Sequence, residues 1–120
     1  MSFIYRRCKS SYKVDNSYAR PDGVADVVFS GDDITVEFSF NAYNSLESYT
    51  EKWVGQRSER GYKLSRVMLS IGGEPRSLGF TSADMELSGS VESGGRLVGR
   101  YVDGEESGDW VIYLIGGKEV

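Results

Sequence analysis

The chain has 120 residues, of which 39% are hydrophobic, with a formal net charge of −4 and no histidine. That length makes one domain around a single core. The composition is too apolar for a disordered chain, and no apolar run approaches the roughly 20 residues that cross a bilayer as a helix.

Residues 3–14 place Phe3, Tyr5, Arg7 and Lys9 on one side and Ile4, Arg6 and Cys8 on the other. Neither side is cleanly apolar, so the segment is expected to be an edge strand or an arm. Arg6 and Arg7 also interrupt the apolar stretch that an export signal needs. With a lone Cys8 and hence no internal disulfide framework, the chain is expected to be cytoplasmic. Asp15 to Gly23 read as a loop. Val24 to Phe29 form a short strand, Ser30-Gly31-Asp32-Asp33 a hairpin turn, and Ile34, Val36, Phe38 and Phe40 the apolar face of the next strand.

After Tyr43 the periodicity changes. Asn44 followed three residues later by Glu47 has the form of a capping box. Leu46, Tyr49 and Trp53 share one helical face, and Gly61 supplies a stop. The spacing predicts one helix over about 45–60. Strand pattern returns at Tyr62 to Ile71, where Val67, Leu69 and Ile71 alternate, and Gly72-Gly73-Glu74-Pro75 turns the chain.

From Met85 to Ile115 the alternation is clearest. Met85, Leu87, Gly89 and Val91 share one face, then Leu97, Gly99 and Tyr101, then Trp110, Ile112 and Leu114. One buried and one wet face is the signature of antiparallel sheet. Glycine at an inward strand position marks a coil or a barrel corner. The small-residue punctuation of 85–115 resembles that of bacterial β-meander and calycin-like proteins, and it carries no functional residue across. The predicted fold is mainly β, with α+β as its alternative. It is a single domain (1–120) built as a strongly coiled antiparallel sheet or small barrel of about 7–8 strands, with one helix.

The chemistry is narrowed by what the chain lacks. Without histidine there is no usual general base near neutral pH, and neither a Ser-His-Asp nor a Cys-His arrangement. A single thiolate does not make a zinc site. Asp103, Glu105, Ser107 and Gly108 follow a calcium-loop spacing only until the twelfth position, which is Leu114. No phosphate-binding glycine loop occurs. The chain is therefore read as non-catalytic, with no cofactor and no metal.

Charge is distributed unevenly. Residues 1–78 carry 11 basic and 10 acidic side chains, whereas residues 79–120 carry 3 and 8. The acidic loop Asp103, Glu105, Glu106 and Asp109 is the candidate partner-binding face. It would steer a protein with a basic surface, in the manner of immunity proteins and phage-encoded inhibitors. The same acidity disfavours nucleic acid, and the basic and aromatic stretch Tyr5 to Lys13 stands without a second basic patch to support it. No membrane association is expected. The alternative function is a calycin-like small-ligand barrel with a pocket lined by Phe38, Phe40, Tyr101 and Trp110.

Overall fold

Apolar and polar side chains alternate along successive strands of the computed structural model, which describes residues 2–18, 20–41 and 47–120. In chain order the strands are β1 (Ser2–Val14), β2 (Asp22–Ser30), β3 (Asp33–Asn41), β4 (Ser48–Arg57), β5 (Tyr62–Ile71), β6 (Glu74–Pro75), β7 (Thr81–Ser90), β8 (Gly94–Asp103), β9 (Glu106–Leu114) and β10 (Lys118–Glu119). Eight of them form a closed, up-and-down antiparallel barrel in the order β1-β2-β3-β4-β5-β7-β8-β9, with β9 returning to β1. The two-residue β6 hairpins onto β5, and β10 pairs with Phe3 and Ile4 of β1. Among the described residues no helix is long and apolar enough to cross a membrane.

The barrel closes because β1 pairs along both its edges. It follows β2 from Ser2 to Ser11, its upper part pairs with β9 from Ser10↔Ile112 to Val14↔Gly108, and its lower end takes β10. The sequence reading of an edge strand or arm is corrected by this pairing. The mixed faces that suggested an edge have a local cause. The register with β2 shifts between Tyr5 and Cys8, and Arg7 adopts φ 52° with its N–H donated to Asp26 Oδ1 at 2.7 Å. This bulge turns both Arg6 and Arg7 outward and brings Tyr5, Cys8 and Ser10 to the core face. Strict alternation, continued through the bulge, puts Tyr5 and Cys8 on opposite faces.

The helix expected over about 45–60 is replaced by β4. Asn44 and Leu46, on which its start rested, lie outside the described residues, and Ser48–Arg57 is a strand paired with β3 and β5. Tyr49 and Trp53 are four residues apart, a spacing that serves one helical face and one strand face equally. Period two wins because Tyr49, Glu51 and Trp53 all line the barrel interior. A carboxylate in the middle of that inward row hid the alternation. In β5 the register shifts opposite Lys52/Trp53, so Tyr62, Leu64 and Arg66 face inward, as do Leu69 and Ile71 above the bulge. Val67, expected on the same face as Leu69, is 44% exposed.

The lower half of the barrel is filled. Tyr5, Val27, Phe29, Ile34, Val36, Tyr62, Leu64, Met85, Leu97, Ile112 and Leu114 are all buried there, with Phe29 bridging the rings of Tyr5 and Tyr62 at 6.1 and 5.5 Å. Complete burial of such side chains stabilises by roughly 1.5–3 kcal/mol each. Gly99 leaves no room for a side chain against the neighbouring strand, since a Cβ there would lie 1.8 Å from the Asp84 carbonyl oxygen. The upper half is packed differently, and that difference makes the site.

Candidate functional site

Four inward rows end in aromatic or charged side chains above the filled core. From β3 come Phe38 and Phe40, from β4 Tyr49, Glu51 and Trp53, from β8 Tyr101 and Asp103, and from β9 Glu106 and Trp110. With Tyr12 of β1 and Arg66 and Leu69 of β5 they enclose a cavity of about 300 Å³. It opens at the barrel end that carries the β1–β2, β3–β4, β5–β7 and β8–β9 connections. The volume is at the small end of the range typical of small-molecule sites.

The floor is a pair of indoles, Trp53 and Trp110, with ring centres 5.3 Å apart and both almost fully buried. Trp110 Nε1 donates to Ser10 Oγ at 3.0 Å, and Ser10 Oγ donates in turn to the Val111 carbonyl at 2.8 Å, so the seam between β1 and β9 is satisfied from inside. Phe38 meets Trp110 at 5.5 Å and stacks on Phe40 at 4.9 Å, and Phe40 stacks on Tyr49 at 5.0 Å. Tyr12 stands edge-on to Phe40 and Tyr101 at 5.1 and 5.9 Å. Each such pair contributes roughly 0.5–1.5 kcal/mol beyond its buried area, which holds the walls in place. Gly23 makes room for this stack. A Cβ there would come within 2.7 Å of the Phe38 ring and 2.8 Å of Phe40 Cβ.

One side of the cavity is polar. Arg66 Nη1 donates to Glu51 Oε2 at 3.1 Å and to Asp103 Oδ2 at 2.9 Å, while Nη2 donates to Asp103 Oδ1 at 3.2 Å and to the Leu78 carbonyl at 2.9 Å. The Arg66 side chain is only 4% exposed, and its guanidinium lies 5.8 Å from the Trp53 ring centre. Its buried Nε has no acceptor among the described residues. The other oxygen of Glu51 accepts from Trp53 Nε1 at 2.9 Å. Burial raises the Glu51 carboxyl above its ordinary value, against the lowering effects of Trp53 and Arg66, and nearby Asp103 adds to the rise. At the rim, Tyr101 donates its hydroxyl to Glu106 Oε2 at 3.1 Å. Burial, then Glu106 and Glu51, push the Tyr12 phenol up to about 12, and burial with Glu106 also raises Tyr101, so both stay neutral hydroxyls.

The structure brings Phe38, Phe40, Tyr101 and Trp110 together around this one cavity. The acidic loop, in contrast, is divided. Asp103 and Glu106 face the cavity, with Asp103 held by Arg66. Asp109 points outward and pairs with Arg100 at 2.9 Å, and Glu105 is exposed in the turn. Asp103 is half-buried at the end of β8, and Glu106 lines the cavity from an exposed position at the start of β9. Sequence reasoning missed Tyr12, Tyr49, Glu51, Trp53, Arg66 and Leu69. Period two over Tyr49-Glu51-Trp53 was the signal for three of them, and Arg66 shares its face with Leu64. Among the described residues no group of three or more His, Cys, Asp or Glu is placed to hold a metal ion.

No family model matches the chain, and neither a curated protein nor a solved structure matches it.

Proposed function

We propose that the protein is a small-ligand-binding barrel that holds an aromatic or otherwise flat molecule in the upper half of its interior and does not transform it. The observation that carries this reading is the cavity itself. Seven aromatic side chains and Leu69 line about 300 Å³ of space, while the lower half of the same barrel is filled. A barrel evolved only to present an outer face has no need of an unfilled half, since unfilled core volume destabilises by about 24 cal/mol per Å³. The acidic docking face draws less support, because three of its four carboxylates are engaged within the molecule by Arg66, Tyr101 and Arg100.

Trp53 and Trp110 form the floor, so occupancy should be visible as a change in indole fluorescence. Titration with 1-naphthalenemethanol should give a saturable, one-to-one change. Leu69→Trp, which fills part of the cavity opposite Glu51, should abolish it while leaving the far-ultraviolet circular dichroism of the barrel unchanged. Equal binding by the filled variant would place the probe elsewhere and remove the reading.

A further inference from the structure

We infer that the cavity selects an organic monocation, a ring compound bearing one ammonium group, over neutral and anionic molecules of the same shape. The inference rests on the ligand-barrel reading and adds the chemical class of the ligand.

The charged side chains lining the cavity are Glu51, Asp103, Glu106 and Arg66. Three carboxylates thus face one guanidinium. That guanidinium is already committed, because both of its terminal nitrogens donate to Glu51, Asp103 and the Leu78 carbonyl, and its remaining Nε is buried out of reach of solvent. An anion entering the cavity finds no free cationic donor and would have to displace Asp103 from a two-point contact. A cation meets the opposite situation. Glu106 sits at the rim, where among the described residues the Tyr101 hydroxyl is its one hydrogen-bond donor and no cation forms an ion pair with it. Glu51 lies deeper, and each of its oxygens accepts one bond and retains a further lone pair.

The walls act in the same direction. The faces of Phe38, Phe40, Trp53 and Trp110 carry the negative part of the aromatic quadrupole, which attracts a cation within about 6 Å. Arg66 already uses the face of Trp53 in this way. Low-dielectric walls lined by one sign of charge concentrate the field inside a cleft. The ligand's ring would lie on the aromatic stack and its ammonium group would point to the Glu51 and Glu106 side.

The test uses the whole 120-residue chain at neutral pH and three probes that share a naphthalene ring: 1-naphthylmethylamine, 1-naphthalenemethanol and 1-naphthylacetic acid. Calorimetric titration should show the amine binding about tenfold or more tighter than the alcohol, with the acid weakest. Glu106→Gln, at an exposed position, should reduce amine affinity several-fold and alcohol affinity much less, narrowing the preference for the amine. Glu51→Gln provides a second variant for the deeper carboxylate. Equal binding of amine and alcohol, tightest binding of the acid, or an amine preference unaffected by both variants would overturn the inference while the ligand-barrel reading stands. Absence of binding by all three probes at millimolar concentration would end both.

Discussion

Glu51 and Asp15 show how two carboxylates of one barrel respond to acid in opposite senses. Asp15 is held by Arg100 and Ser107, which lower its carboxyl to about 2. Its contribution is present above the ordinary carboxylate value and is lost as pH falls from about 4 through about 2, but the pair is exposed and screened, so the loss should be slight. Glu51 runs the other way. Its folded value is raised by burial, so the native state holds that proton more tightly than the unfolded chain does. Stability therefore falls as pH rises through the raised value, and acidification from neutrality toward 4.5 should raise the urea midpoint. In Glu51→Gln that rise should be absent; an identical rise in the variant would assign it to another group. Trp110 makes a second case at this scale. It is 3% exposed and anchored to Ser10, so Trp110→Ala should destabilise by roughly 3–5 kcal/mol in chemical denaturation. A loss below about 1 kcal/mol, the level of surface sites, would contradict its place in the floor.

The elements differ in how firmly they are stitched. β3 pairs with β2 from Asp33 to Phe40 and with β4 along its full length, whereas β5 and β7 share only three register pairs, from Tyr62↔Met85 to Leu64↔Ala83. Above those pairs Arg66 spans the gap. Its backbone N–H donates to Thr81 Oγ1 at 2.9 Å, and its guanidinium reaches Leu78 and β8's Asp103. A buried cation shared by two carboxylates thus completes the wall where the ladder stops. Hydrogen exchange should find the slowest amides in 34–40 and 108–114, where strands pair on both sides, and faster exchange in 78–82 beside the seam. Uniform protection around the barrel would contradict the idea of a weak seam. Strands with unbroken alternation, β3 and β7 to β9, were legible from sequence because a one-residue slip would bury their charges. β1 was legible as a strand but not in its faces, β4 was not legible as a strand, and β5 was legible as a strand but not in its faces. A bulge at Arg6-Arg7 reset one, a buried Glu51 disguised another, and a bulge near Val67 split the third.

At the scale of the whole molecule, closure is what sequence periodicity could not show, because it depends on β1 meeting β9 across a separation of nearly the entire chain. Closure gives each of the eight barrel strands a paired neighbour on both sides and creates an inside with two ends. The four pocket aromatics proposed from alternation alone converge because all are inward and all lie toward the same end. The polar side of the cavity was illegible, since Glu51, Arg66 and Asp103 come from three different strands and meet only through the register and curvature of the sheet. The central claim is that this upper interior receives a small molecule, and intermolecular nuclear Overhauser effects from bound 1-naphthylmethylamine test it most directly. The account predicts contacts from the naphthalene protons to the rings of Phe38, Phe40, Trp53 and Trp110. Contacts confined to outward residues such as Val98 and Tyr113 would contradict it.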